Sequence, residues 1–210
     1  MSGGLCVLAA LLALGCTPQL GLAERAEKTP WFCHDLDCPP FKVVKSYNED
    51  VELRSYKAGM WVSTNVTGTQ YDTAVSTGFK RLFAYISGAN AAQQEINMTA
   101  PVRVQVTPGQ GPFCEDHFKI SFYVPYKLQD NPPAPLSAEV FADPAPAADF
   151  YVLSYGGRTD ERKLLDKATE LTDFLNKQKL PYDYSRFYSA GYDSPYRAHD
   201  RHNEIWIATK

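Results

Sequence analysis

The stretch YDTAVSTGFKRLFAYI, Tyr71–Ile86, decides the fold. Tyr71, Val75, Phe79, Leu82, Phe83 and Ile86 recur at three- and four-residue steps, the spacing of a helix with one apolar face. Ser87-Gly88 ends it. Just upstream, Trp61 to Val66 is rich in β-branched residues at period two and reads as a strand. Further back, Phe41 to Tyr56 alternates loosely through Val43, Tyr47, Val51, Leu53 and Tyr56, as a strand pair or one bent strand. Downstream, Ile96 to Val106 and Phe118 to Val124 read as strands joined by a Gly/Pro-rich turn at Pro108–Pro112. The order is β-β-α-β-β.

That order recurs. After the proline-rich linker Asn131–Pro135 come strands over Glu139–Ala142 and Phe150–Tyr155, then a helix from about Asp160 to Gln178. Its inner face is Leu164, Ala168, Leu171 and Leu175, with Arg162, Lys163, Asp166, Lys167 and Asp173 outside. Arg186–Tyr192 and Glu204–Ala208 close the unit as strands. Two pseudo-repeats, about 41–130 and 136–208, each unable to bury its sheet alone, predict an α+β domain over 41–210: a curved antiparallel sheet or distorted β-barrel carrying two helices.

The N-terminal stretch differs in composition. Leu5 to Leu14 is apolar and the first charged side chain is Glu24. Ten such residues fall short of the ~20 that span a bilayer. Gly21-Leu22-Ala23 supplies a small-x-small cleavage pattern, so residues 1–23 read as a signal peptide and the mature chain as secreted, without a stable membrane span. An uncleaved anchor is the other reading. Cleavage removes Cys6 and Cys16 and leaves Cys33, Cys38 and Cys114. One disulfide and one remaining thiol result: Cys33 and Cys38 close a short loop within the arm 24–40, or Cys114 bridges to one of them. Asn65-Val66-Thr67 and Asn97-Met98-Thr99 are glycosylation sequons. Asn65, near a strand end, is the expected site, and Asn97 is expected to be partly shielded.

Function classes narrow by chemistry. The net charge of -3 carries no clustered basic face for nucleic acid. No convergent set of titratable groups makes a general acid and base, so an enzyme has no warrant. Two signatures remain: Asn97-Met98-Thr99-Ala100-Pro101-Val102, and Ala190-Gly191-Tyr192-Asp193-Ser194-Pro195 followed by Asn203-Glu204-Ile205-Trp206. Pro101 cannot donate to a ladder and marks an edge or bulge; Asp193-Ser194-Pro195 reads as a turn. With Trp61-Val62-Ser63-Thr64, Gly78-Phe79, Tyr85-Ile86, Ser121-Phe122-Tyr123-Val124-Pro125 and Asn131-Pro132-Pro133, they resemble the SOUL/heme-binding protein family, here in a secreted form, over roughly 41–207.

The resemblance implies a non-enzymatic protein that binds heme or another tetrapyrrole in an apolar groove beside the first helix. It places Phe79 and Phe83 on the wall and Arg197 at the rim as partner for a propionate. Aromatics suit a flat apolar face and arginine suits a carboxylate. The family position proposed for an axial histidine is Ser55 here, and a basic position late in the first helix is Ala84. A hydroxyl is a poor iron ligand, so binding is expected without a strong axial protein ligand. Of the remaining histidines, His199 and His202 flank Asp200-Arg201 beside Arg197 and are the weak metal candidates. The alternative is a protein-interaction or signalling module that keeps the fold and has lost the ligand.

Overall fold

The change of period at residue 71 marks a real boundary. In the computed structural model, which describes Met1 and residues 29–68, 70–109 and 116–210, helix α1 spans Tyr71–Ile86. Before it lie β1 (Phe41–Ser46), β2 (Val51–Tyr56) and β3 (Gly59–Thr67). After it come β4 (Val102–Thr107), β5 (His117–Tyr123), β6 (Val140–Ala145), β7 (Ala148–Tyr155), α2 (Glu161–Lys177), β8 (Phe187–Gly191) and β9 (Asn203–Ala208). The signal-peptide reading and Cys114 lie outside the described residues. The expected strand over Ile96–Val106 begins only at Val102. Pro101, which has no N–H for a ladder, follows a cis Ala100–Pro101 bond.

All nine strands form one antiparallel, curled half-barrel sheet in the order β1-β2-β7-β9-β8-β4-β5-β3-β6. The duplication explains this order. The units are β2-β3-α1-β4-β5 and β6-β7-α2-β8-β9, with β1 added at one edge. The first strand of each unit pairs with the second strand of the other: β2 with β7 and β6 with β3. The third strands, β4 and β8, meet at the centre. Neither unit can complete its sheet without its twin.

Alternation assigns the two faces. Val62, Val104, Ile120, Phe122, Leu153, Ile205 and Ile207 point toward the helices and join one core with Leu82, Leu164, Leu171 and Leu175. The inner face of α2 is the expected one. That of α1 is rotated: its buried residues are Tyr71, Ala74, Gly78, Leu82, Tyr85 and Ile86, while Phe83 is 50% exposed. The cause is the small stripe Ala74-Gly78. A Cβ at Gly78 would sit 2.7 Å from the Ile120 side chain, so glycine lets the helix settle on β5 and turns Phe83 outward.

The opposite face is covered over one half only. There residues 30–41 lie across β2, β7, β9 and β8, and Phe32, Cys33 and Cys38 pack with Tyr56, Phe150, Val152, Ala190, Tyr192 and Trp206. Cys33 and Cys38 are joined by a disulfide, Cα atoms 6.1 Å apart, which is the closed-loop pairing. The Thr99-Ala100 corner ties the arm down: the Ala100 N–H donates to the Asp37 carbonyl at 3.0 Å, and Thr99 Oγ1 donates to the Tyr123 carbonyl at 2.6 Å.

Candidate functional site

Val75, Phe79 and Phe83 follow one another at four-residue steps on α1. Val75 and Phe79 are partly buried and Phe83 is the exposed end of the stripe. The rings of Phe79 and Phe83 are 5.8 Å apart and 13° from parallel. Phe79 is held from beneath by Phe122 of β5, edge to face at 5.3 Å. The two rings stack on one another with Phe83 outermost, an apolar surface of the kind against which a planar ring system packs. Ala84, next to Phe83, is exposed and adds no charge.

The loop between β8 and β9 holds the other implied residues. Arg197 is exposed, but its guanidinium is engaged: Nε lies 3.2 Å from Asp193 Oδ1 and donates to the His199 carbonyl at 3.0 Å. Asp193 also accepts from His34 at 2.9 Å and from the His202 backbone N–H at 2.6 Å, which fastens the loop to the N-terminal arm. Among the described residues no contact joins Arg197 to Phe79 or Phe83.

The two candidate histidines also part company. His199 is exposed. His202 is buried, its ring parallel to Phe32 with centroids 4.0 Å apart, and its Nε2 lies 2.7 Å from Glu204 Oε1. Among the described residues no cluster of three or more His, Cys, Asp or Glu could hold a metal. Ser55 lies on β2 between Lys42 and Asp149, and at least four strands separate β2 from β5 and β3, on which α1 rests. No imidazole stands at that position.

Glu204 is a residue whose role the sequence does not announce. Wholly buried on β9, it takes Arg54 Nη1 at 2.7 Å and His202 at 2.7 Å on one oxygen. On the other it takes the Tyr192 hydroxyl at 2.8 Å and the Trp206 indole N–H at 2.7 Å. Burial works against its charge. Arg54, His202 and Trp206 outweigh that and hold its pKa at about 2. Burial opposes the Arg54 charge too, and Glu204 with the neighbouring tyrosine oxygens drives its pKa above the usual value. Four donors on one carboxylate leave no lone pair free for chemistry; this is a clamp under the arm.

A sequence model of SOUL heme-binding proteins matches residues 36–208. The chain belongs to the SOUL heme-binding protein family. It is 34% identical to heme-binding protein 2 of Mus musculus over 196 residues, covering 92% of this chain and 93% of that one. With heme-binding protein 2 of Homo sapiens it is 38% identical over 159 residues, 76% and 78% of the two chains. Among solved structures, the EcmrR C-terminal domain superposes with a TM-score of 0.60 at 11% identity, over 76% of this chain and 96% of that one. An uncharacterized conserved protein from Listeria innocua does so at 0.53 and 10% identity, over 78% and 93%. At such identities these likenesses show the fold alone, and nothing about ligands.

Proposed function

We propose that this chain is a secreted, non-enzymatic binding protein for heme or a similar flat amphiphile, held against the outer face of α1. The observation that carries it is the near-parallel Phe79–Phe83 pair, half open to solvent, in a chain whose family is named for heme binding. Exposing an aromatic ring of this size is unfavourable unless something covers it. Contact is through ring faces, and Ser55, four or more strands from the α1 face and without an imidazole, supplies no ligand to iron there. Arg197 supplies a propionate partner only by leaving Asp193. Secretion is supported by the signal-like residues 1–23, by the Cys33–Cys38 disulfide, which suits an oxidising compartment, and by two sequon asparagines. Both Asn65 and Asn97 are exposed, so the expected shielding of Asn97 is absent. Within the described residues no helix is long and apolar enough to cross a membrane.

The test is a hemin titration of the purified protein followed at the Soret band, with Phe83→Asp and Arg197→Glu alongside. Saturable one-to-one binding that is lost in Phe83→Asp supports the helix-face site, and loss in Arg197→Glu adds the rim. Binding unchanged in Phe83→Asp defeats the site. No saturable binding in the parent protein turns the reading to a protein-interaction module, which the missing imidazole at Ser55 already favours.

A further inference from the structure

The arm covers half of the sheet face opposite the helices and leaves the other half open. Where the two halves meet lies a cleft of about 280 Å³, with β3, β4, β5, β6 and β8 on the open side and Pro39 of the arm with Tyr56, Phe150 and Trp206 of the covered half on the other. Its floor holds Arg103 of β4, 7% exposed. The guanidinium lies 3.7 Å from the centroid of the Trp61 ring and 5.4 Å from that of Tyr188. Its Nε is buried and without a hydrogen-bond partner. No carboxylate lies within ion-pair distance of it among the described residues. The acid of the cleft, Asp143, is taken by Lys119 at 2.8 Å and by the Ser63 hydroxyl at 2.8 Å.

A buried cation with an unmade hydrogen bond costs free energy. Aromatic faces answer its charge in part but accept no in-plane N–H. The charge balance of the walls points the same way. Lys57, Arg103, Lys119 and Arg186 line the cleft against Asp143 alone. The remaining walls are mainly ring edges and faces, including Tyr56, Phe150 and Trp206. Burial lowers the Arg103 pKa to about 10, so the group is still cationic at neutral pH.

We propose that this cleft is a second ligand site, separate from the α1 face, which takes a small flat aromatic anion. The ligand's carboxylate or sulfonate accepts hydrogen bonds from the Arg103 guanidinium, and its ring lies beside Tyr188 and Phe150. An oxyanion that presents two oxygens side by side, as a carboxylate or a sulfonate does, fits the arginine fork. The volume sits at the lower end of ligand pockets, room for two or three fused or linked rings.

Anilinonaphthalene sulfonate, aromatic and anionic, is the probe, beside phenylnaphthylamine, its uncharged counterpart. The probes are titrated into the parent protein and, without hemin, into Phe83→Asp, whose α1 face no longer takes a flat amphiphile, so that the saturable anion site that remains there stands apart from the α1 reading. Arg103→Met weakens the anionic probe by about tenfold or more, the scale of one lost charged hydrogen bond, and moves the uncharged probe less than about twofold. Arg103→Lys, which keeps the charge, recovers part of the loss. In the unaltered protein the Trp61 indole N–H resonance shifts with saturation. Equal weakening of both probes in Arg103→Met, or a shift at Phe83 with Trp61 unmoved, overturns the proposal.

Discussion

Arg54 and Arg103 are buried on the same face of one sheet, 3% and 7% exposed, and they are kept there by opposite means. Arg54 lies under the arm, with Glu204 and Glu52 on its nitrogens and the Phe41 ring 4.3 Å from the guanidinium carbon. Arg103 lies in the open half, with rings for neighbours and, among the described residues, no acid within ion-pair distance. The covered half has its charges matched within the chain. The open half has a charge whose match is missing. One face of a duplicated fold has thus been used twice, once as a seat for its own N-terminal arm and once as a cleft.

The sharpest way to break this contrast is to remove the carboxylate of the covered half. Glu204→Gln leaves Arg54 buried with its main partner neutralised, and unpairing a buried ion costs about 3–5 kcal/mol. Urea denaturation followed by tryptophan fluorescence reads the loss directly. A change below ~1 kcal/mol would show that the arm, not the ion pair, holds this half together.

Acid gives the same comparison without a substitution. Glu204 has a folded pKa of about 2 against an ordinary 4.5. Its folded value is depressed, so its contribution is fully present above pH 4.5 and is lost as pH falls from 4.5 toward 2. The gap corresponds to roughly 3 kcal/mol. Stability measured across that window drops in the parent protein, and the drop flattens in Glu204→Gln. An unchanged slope in the variant would assign the acid sensitivity to other carboxylates.

The disulfide comes next. It closes a loop of sequence separation 5, short enough that chain entropy sets its worth at ~2 kcal/mol. Cys33→Ser together with Cys38→Ser lowers stability by that amount and makes residues 30–41 the first segment cut by protease. If the arm stays protected, Phe32 stacking on His202 and the Asp193 contacts suffice to seat it.

Much of this architecture is legible in the residues. Both helices, the duplication and every strand after the linker follow from period and punctuation, because each element has one buried face and alternation or helical spacing reports it. What period cannot report is contact between elements. The α1 face lies about one residue from where spacing puts it, because two small side chains, Ala74 and Gly78, outrank Phe83 at a close helix–sheet approach. The β2–β7 and β6–β3 exchange between repeats is not visible, since a strand carries no label for its partner. The arm's seat was hidden for the same reason. Cys33 and Cys38 announce a loop, yet Phe32 meeting His202 across some 170 positions leaves no local trace. Arg103 is the clearest case: an arginine alternating with valines reads as the solvated side of a strand, and only the ring of Trp61 brought over from β3 shows it buried.

The smallest expected effect is also the one that most sharpens the contrast. Arg54→Met strips Glu204 of its main counter-charge and leaves a carboxylate buried, so it costs about 3–5 kcal/mol, as Glu204→Gln does. Arg103→Met removes a buried cation that has no carboxylate to orphan. The relief of desolvation offsets the lost ring contacts, and an unbranched side chain of similar reach fills the same slot. The net change in unfolding free energy is below about 1 kcal/mol, and its sign is free to favour the variant. So small a contribution to stability, at a position where burying a charge is costly, is the outcome that fits the binding role proposed for Arg103. A loss near that of Arg54→Met would place Arg103 in the framework instead and make the two halves of the face alike.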